Sequence, residues 1–166
     1  MNPEQRYVQL FEEMWRLCKV QGWGDPFSYA RSREIHLAVT LGHRVSTTYV
    51  GADGHEPDGT AVEYKTTTTK NLCGTYNGIS VQETWDEQLV YLKTKKLGCY
   101  KWHYIARYDE DKIVEIWRLS GDKVMEILEP KLHEQWNSPK KRKDPRLGVT
   151  LTDKNIRAFG EKIEIP

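Results

Sequence analysis

The segment GADGHEPDGTAVEYKTTT, residues 51–68, predicts a β-hairpin with a strongly charged face. Its Pro57-Asp58-Gly59 triplet indicates a tight turn, because Pro presets φ and Gly supplies a positive φ. When the turn is centred on Asp58, Asp53 lies directly opposite Glu63. Lys65 is two residues beyond Glu63 and shares its face of the strand. One face of the hairpin therefore carries two carboxylates and one ammonium group.

This charge cluster is costly to maintain, since two carboxylates at close range repel each other unless a cation lies between them. Metal-assisted cleavage of a phosphodiester uses such a cluster. Mg²⁺ prefers hard oxygen ligands and commonly takes one or two carboxylates together with water and phosphate oxygens. A lysine beside it can orient or deprotonate the attacking water, or stabilise charge on the phosphorus. The alternative interpretation is a solvated hairpin face with an ordinary ion pair.

The Glu-x-Lys pattern by itself carries little weight, because it occurs three times, beginning at Glu63, Glu110 and Glu129. The second copy lies in the turn-like segment YDEDK, and the third contains a proline in a helical region. Only the first copy is on a predicted strand with an acidic residue, Asp53, placed across from it. This register favours a nuclease over the ordinary ion pair.

The Gly-x-Asp, turn and Glu-x-Lys arrangement resembles the PD-(D/E)xK nuclease superfamily, and within it the PvuII type of restriction endonuclease. The similarity covers most of the length. It includes an N-terminal helix, the hairpin with matching intervals, the strand WHYIARY, a second strand ending in Arg-Leu, and a basic C-terminal segment. The resemblance implies metal ligation by Asp53, Glu63 and the backbone carbonyl of Tyr64. It also implies a catalytic role for Lys65.

The chain departs from that enzyme type at two places. It has no histidine cluster after the catalytic strand, and the segment from Cys73 to Asp86 is longer. The target sequence therefore need not be the same. The literal Pro57-Asp58 pair is too near Glu63 and belongs to the turn, so it is not assigned to the site.

The resemblance implies an α/β (α+β) fold of the restriction-endonuclease type, with a central mixed β-sheet flanked by helices. The single domain, 1–166, would comprise an N-terminal helical segment with a dimerisation role (1–30), a catalytic core (31–120) and a C-terminal helix with a basic hairpin (121–166). The implied activity is that of a homodimeric, Mg²⁺-dependent type II restriction endonuclease cutting double-stranded DNA at a palindromic site, with Mn²⁺ able to substitute. The alternatives are a homing endonuclease or repair nickase of the same superfamily, or a non-catalytic DNA-binding module.

The composition is that of a globular protein, with 38% hydrophobic and 30% charged residues among 166. The net charge is only +1, so DNA binding would require clustered basic residues. Cys18, Cys73 and Cys99 show no Cys-x-x-Cys spacing, which argues against a disulfide framework or a zinc site. Neither a signal peptide nor an apolar run of membrane-spanning length is recognised. These features predict a cytoplasmic protein that does not contact a membrane, and the nuclease resemblance implies a prokaryotic or viral origin.

Apolar periodicity predicts four helices. The first covers 3–21 after an Asn2 cap, and its apolar stripe from Tyr7 to Cys18 is expected to pack in the core. The family resemblance adds a share in a dimer interface. The second helix is predicted to start at Asp25, the third at a capping box over Ser80–Glu83, and the fourth to cover 122–136.

The predicted strands include Val45–Val50, the hairpin strand continued by Thr66–Thr69, and an antiparallel pair over 100–108 and 113–119. Residues 71–79 are expected to be a loop, because Gly74, Asn77 and Gly78 fall within them. The tail from 149 to 165 is expected to be one more hairpin that turns near 152–155.

Glu34 interrupts the apolar face of the second helix, where an acidic residue is unexpected unless it is paired or functional. In several PD-(D/E)xK families a helical Glu just upstream of the hairpin approaches the metal, so Glu34 is a candidate accessory ligand. The alternative is a partner for Arg31 or Arg33, or a position at the boundary of the apolar face.

Candidate DNA contacts fall into three groups. The first group comprises proposed contacts to the DNA backbone. Ser28, Tyr29 and Arg31 are included by analogy with the family, and Thr66, Thr68 and Lys70 because hydroxyl and ammonium groups suit phosphates. If the resemblance holds, base edges would be read by Tyr76, Asn77, Ser80, Gln82 and Glu83, whose alternative role is that of ordinary cap and loop residues. The strongest basic cluster, for which phosphate contact is preferred over a nuclear-localisation signal, contains Lys140, Lys141, Arg142 and Lys143.

Overall fold

The computed structural model describes residues 2–48, 50–138 and 146–166, and these form an α/β fold. The helices are α1 (Pro3–Gln21), α2 (Arg31–Thr40), α3 (Trp85–Tyr91), α4 (Gly121–Asn137) and α5 (Asp153–Phe159). The strands are β1 (Arg44–Val45), β2 (Gly54–His55), β3 (Ala61–Thr67), β4 (Cys73–Ile79), β5 (Trp102–Asp109), β6 (Lys112–Ser120), β7 (Leu147–Thr152) and β8 (Glu161–Ile163). None of the helices in these ranges is long and apolar enough to cross a membrane.

Six strands form one mixed sheet in the order β1-β2-β3-β5-β6-β8. Strands β3 and β5 run parallel, and every other neighbouring pair is antiparallel. A parallel pair needs a crossover connection, and here the crossover contains β4 and α3. Strands β4 and β7 pair with each other as a separate two-stranded ribbon. The prediction of a central mixed sheet with helices is confirmed at this level.

The sheet separates two apolar cores because successive side chains of a strand point to opposite faces. On one face Tyr64 and Tyr104 pack with Leu37 of α2. On the other face Ile105 packs with Leu128 of α4 and with side chains of the ribbon. Glu63 and Lys65 alternate with Tyr64 along β3, so they point toward the face that carries α4 and the ribbon.

The hairpin forms in the predicted register. Gly54 lies opposite Val62, and the Asp53 amide donates to the Val62 carbonyl (3.1 Å). At the turn, the Gly59 amide donates to Glu56, and Gly59 adopts a φ of 89° that favours glycine. Asp53 therefore lies opposite Glu63, as predicted.

Helix α1 begins as predicted, with reciprocal capping bonds between Asn2 and Gln5. Helix α2 starts later than predicted, at Arg31. The Asp25 side chain does accept from the Phe27 amide (2.8 Å), but it caps a turn, and Tyr29 at a φ of 53° interrupts the helical path. Helix α3 is capped by Thr84 with Glu87, and not by the predicted box at 80–83.

Two predictions for the strands are wrong. Residues 73–79 are strand β4, because antiparallel pairing with β7 satisfies their backbone and buries Tyr76 and Ile79 despite the local turn signals. Thr152 and Asn155 form a capping box that begins α5, so the tail is not a hairpin; β8 instead pairs with β6. A strand was also predicted over 45–50, but among the described residues of that range only Val45 belongs to a strand, β1.

The apolar stripe of α1 is not packed in the core, contrary to the prediction. Tyr7, Leu10 and Leu17 are 69%, 47% and 53% exposed, and Cys18 is the only buried residue of the helix. Phe11 stacks on Phe27 with ring centroids 4.8 Å apart, and these rings lie beside the exposed stripe. This apolar face is therefore left uncovered by the residues that the structure describes.

Acid should destabilise the fold through Glu115 on β6. Burial by itself would raise its pKa, but hydrogen bonds from Arg107, Trp117 and Arg157 hold the pKa at about 2. Because this pKa is lower in the folded state than the ordinary value of 4.5, the Glu115 carboxylate stabilises the fold above pH 4.5. That stabilisation is lost as the pH falls toward 2. We expect Glu115→Gln to lower the free energy of unfolding by about 1–3 kcal/mol at pH 7, measured by urea titration.

This difference between wild type and Glu115→Gln should shrink between pH 4.5 and pH 2. The matched control is Glu161→Gln, which removes the partner of Arg118 from a pair in which the Glu161 side chain is 61% exposed. Such an exposed pair contributes about 0–1 kcal/mol. A cost for Glu115→Gln that stays constant across this pH range would contradict the assignment.

Candidate active site

Asp53, Glu63 and Lys65 come together at the base of the hairpin. The Lys65 Nζ atom lies 2.5 Å from Glu63 Oε1, and the Tyr64 amide donates to Asp53 Oδ2 (2.8 Å). Asp53 and Glu63 face each other across the hairpin, and the charge of Asp53 raises the pKa of Glu63. Two carboxyl groups that face each other need a shared proton or a cation between them. The arrangement therefore contains the Lys65–Glu63 ion pair of the alternative interpretation and, beside it, a second carboxylate.

Burial dominates the electrostatics of this cluster. It raises the pKa of Glu63 to about 7, with the Asp53 charge adding to the effect and Lys65 opposing it. Burial also raises the pKa of Asp53, although Lys65 and the Tyr64 amide act in the other direction. Burial acts to lower the pKa of Lys65, but the Glu63 and Asp53 carboxylates outweigh it and raise that pKa. Lys65 is therefore an ammonium group at neutral pH.

Glu34 of α2 forms an ion pair and also lies near the charged hairpin. It pairs with Arg31 (3.4 Å), as the alternative expects. Its pKa is raised first by burial and then by the nearby charge of Asp53, so it also lies within electrostatic reach of the carboxylate pair. Arg31 is buried and donates to the backbone carbonyls of Trp23 and Ser46.

The Tyr64 side chain supports the face of the hairpin opposite to Glu63 and Lys65. The sequence had suggested a role only for the backbone carbonyl of this residue. The Tyr64 hydroxyl lies 2.8 Å from His43 Nδ1. Its ring packs so closely under Gly54 that a Cβ atom there would lie 2.5 Å from the hydroxyl oxygen. Gly54 directly follows Asp53, and Tyr64 directly follows Glu63. This contact holds the two carboxylate-bearing strands against each other.

The ammonium group of Lys65 also rests on an aromatic ring. Its Nζ atom lies 4.9 Å from the ring centroid of Tyr76 on β4. The Tyr76 hydroxyl bonds to His103 Nδ1 (2.8 Å), and His103 Nε2 bonds to the Leu97 carbonyl (2.8 Å). Burial lowers the pKa of His103 to about 4, so the ring is neutral, with Nε2–H donating to Leu97 and Nδ1 accepting from Tyr76.

These side chains open into a cleft of about 740 Å³. Asp53, Glu63 and Lys65 line one part of it, and Thr75 and Asn77 of the ribbon line another. Further lining residues come from the end of α3 and the segment after it, namely Tyr91, Thr94, Lys95, Lys96 and Leu97. The ribbon approaches the site closely, since a Cβ on Gly74 would lie 3.4 Å from Lys65.

The predicted DNA contacts are not all accessible. Arg31 and Tyr76 are buried, at 2% and 6% exposure, and the Thr66 hydroxyl is buried without a hydrogen-bond partner among the described residues. These three predictions are corrected, because their polar groups face the interior. The others are exposed or half-exposed: Ser28, Tyr29, Thr68, Lys70, Asn77, Ser80, Gln82 and Glu83. Lys140, Lys141, Arg142 and Lys143 lie outside the described residues.

Among the described residues, no three or more His, Cys, Asp and Glu side chains are grouped so that they could hold a metal ion. The donor set is instead a carboxylate pair with a third acid, Glu34, nearby. This composition suits a hard cation that keeps water or substrate oxygens, and does not suit a closed zinc site.

Comparison with protein families and with curated proteins finds no match to this chain.

Proposed function

We propose that this protein is a Mg²⁺-dependent endonuclease with a restriction-endonuclease-like fold, cutting double-stranded DNA at a specific, palindromic site. The observation that carries the proposal is the register that sets Asp53 opposite Glu63, with Lys65 on the same face and all three in one cleft. Two half-buried carboxylates that face each other are expensive to maintain without a cation. Phosphodiester hydrolysis is the chemistry that uses this combination.

The donor set fits a magnesium ion held by Asp53, Glu63 and the backbone carbonyl of Tyr64, with Glu34 as an accessory; Mn²⁺ would substitute. When bound, the ion would polarise the phosphate and lower the pKa of a water ligand. Asp53 already accepts from the Tyr64 amide through one oxygen, so its other oxygen is oriented by that bond. Glu63 is oriented in the same way by Lys65.

Lys65 is proposed to hold the attacking water in line with the phosphorus and to stabilise negative charge on the phosphate oxygens. Its half-buried ammonium group is fixed from two sides, by Glu63 and by the ring of Tyr76. The attacking water gives up a proton to solvent as its oxygen forms the new bond to phosphorus, and the bond from phosphorus to the 3′ oxygen breaks. The products are a 5′-phosphate and a 3′-hydroxyl, which takes its proton from solvent.

The ribbon of β4 and β7 is proposed to read base edges. A two-stranded ribbon fits the major groove, and this one borders the cleft. Thr75 and Asn77 are exposed on it, with the Thr75 hydroxyl bonded to Thr150 (3.2 Å). Asn is suited to adenine edges. Asn77 is therefore the predicted base-reading residue that the geometry favours most.

A homodimer completes the proposal, because two-fold protein symmetry matches a palindromic site. The exposed face of α1 borders an apolar hollow of about 510 Å³, and a second copy would cover it.

We expect Leu10→Glu to convert a dimer to a 19.4 kDa monomer, measured by light scattering, because a charge in this face opposes association. The control is Val20→Glu, which lies on α1 but does not line the hollow. A wild-type monomer would contradict the homodimer.

The first experiment is to incubate the protein with a long DNA of known sequence, with Mg²⁺ or with EDTA. Discrete bands only with Mg²⁺ would support the proposal, and mapped ends would give the site. An asymmetric site would favour a homing endonuclease, and cutting of one strand a repair nickase. A Mg²⁺-dependent smear would remove the specificity. Intact DNA that shifts on a native gel would favour a DNA-binding module.

A further inference from the structure

Helix α3 ends in a π-helical turn, Leu92–Lys96, that sequence analysis did not anticipate. The Leu97 amide donates to the Leu92 carbonyl (2.8 Å), which is the wide i to i+5 bond of a π-helix. Gly98 packs against this turn so closely that a Cβ atom there would lie 3.0 Å from the Lys93 carbonyl oxygen. Such a turn adds a residue to the helix and changes the directions of the side chains around it.

The turn directs its lysines to two different sides of the molecule. Lys95 and Lys96 line the cleft that contains Asp53, Glu63 and Lys65. Lys93 instead lines a separate hollow, together with the acidic side chains Asp122, Glu126 and Glu129. Neither Lys95 nor Lys96 forms an ion pair with any residue in the described ranges.

Uncompensated cations are needed in this cleft if it binds DNA. The carboxylates of Asp53 and Glu63 repel a polyanion, and a bound metal would neutralise that repulsion only at the phosphate being cut. Phosphates further along the strand need their own cations, which lysines supply as point charges. The adjacent Thr94 does not supply a free hydroxyl, because its Oγ1 donates to the Val90 carbonyl.

We propose that Lys95 and Lys96 bind the DNA phosphates that flank the scissile one. This inference rests on the proposed function and adds a backbone-binding site to it. The π-helical turn is what places two cations across the cleft from the catalytic carboxylates while Lys93 faces α4. The ligand class is the phosphodiester backbone of duplex DNA, so the two lysines contribute to affinity and not to the choice of sequence.

The test is the salt dependence of binding to a duplex oligonucleotide, followed by fluorescence anisotropy in Ca²⁺ in place of Mg²⁺. Each phosphate contact contributes about 0.9 to the slope of log Kd against log salt concentration. We expect Lys95→Ala with Lys96→Ala to reduce that slope by about 2 and to weaken binding about tenfold or more in low salt. The matched control is Lys93→Ala, which removes one lysine from the same turn and should leave slope and affinity unchanged.

A second variant separates charge from folding. Lys95→Arg with Lys96→Arg keeps both cations and should retain the wild-type slope, while circular dichroism should be the same for all four proteins. The inference is overturned if the double alanine variant binds with the wild-type slope, or loses no more than Lys93→Ala does. Wild-type protein that neither binds nor cuts DNA would instead overturn the proposed function, and this inference with it.

Discussion

Lys65→Ala should reduce the rate of DNA cleavage by about three orders of magnitude or more while leaving DNA affinity within a few fold of wild type. Loss of a group that acts on the attacking water or on developing charge costs about 10²–10⁴ in rate. The ammonium group of Lys65 is held between Glu63 and the ring of Tyr76, and alanine supplies no charge at that position. Single-turnover cleavage of a mapped duplex measures the rate, and anisotropy measures affinity.

The control for this variant is Lys101→Ala, which removes an exposed lysine that does not line the cleft. It should cut DNA at the wild-type rate. Cleavage by Lys65→Ala at a rate within tenfold of wild type would assign the ammonium group a structural role. Equal losses of affinity and rate would place Lys65 among the phosphate contacts instead.

Asp53→Asn should abolish cleavage and also remove the stabilisation that Mg²⁺ confers on the folded protein. A ligand at 100 times its Kd stabilises the native state by about 2.7 kcal/mol, which corresponds to several degrees in Tm for a chain of this size. Thermal unfolding with Mg²⁺ and with EDTA measures this effect without reference to activity. In EDTA, Asp53→Asn should be as stable as wild type or more so, since it removes repulsion from Glu63.

Asp58→Asn is the matched control, because Asp58 belongs to the literal Pro-Asp pair but is exposed and accepts from the Thr60 amide in the turn. This variant should keep both the Mg²⁺ shift and cleavage. Cutting that survives Asp53→Asn but is lost in Asp58→Asn would reverse the choice between the two aspartates. Glu34→Gln tests the accessory ligand, which would show as a smaller Mg²⁺ shift.

The candidate site could be predicted to the extent that it depends on neighbours in the chain. The turn chemistry of Pro57-Asp58-Gly59 sets the hairpin register locally, and the period of two then places Glu63 and Lys65 on the face of Asp53. The capping residues of α1 and the pairing of β5 with β6 across a short turn are local in the same sense.

Only the tertiary structure decided which side chains surround that hairpin. Strand β4 looks like a loop in the sequence, and it becomes a strand because β7, some 75 residues further along, supplies its hydrogen-bond partners. That pairing buries Tyr76 under Lys65 and removes it from the possible base contacts. The uncovered apolar stripe of α1 was also decided by the tertiary structure. An amphipathic pattern indicates that one face of a helix is apolar, but it does not indicate which residues pack against that face.

The sequence by itself therefore determined the charged hairpin, the start of α1 and the pairing of β5 with β6, because turns, caps and side-chain periodicity act over a few residues. The tertiary structure decided the support of Lys65 by Tyr76 and His103, the burial of Arg31, and the direction of Lys95 and Lys96 into the cleft. These features depend on contacts between segments far apart in the chain or on the packing of a π-helical turn. Their free energies arise only when the whole fold has formed.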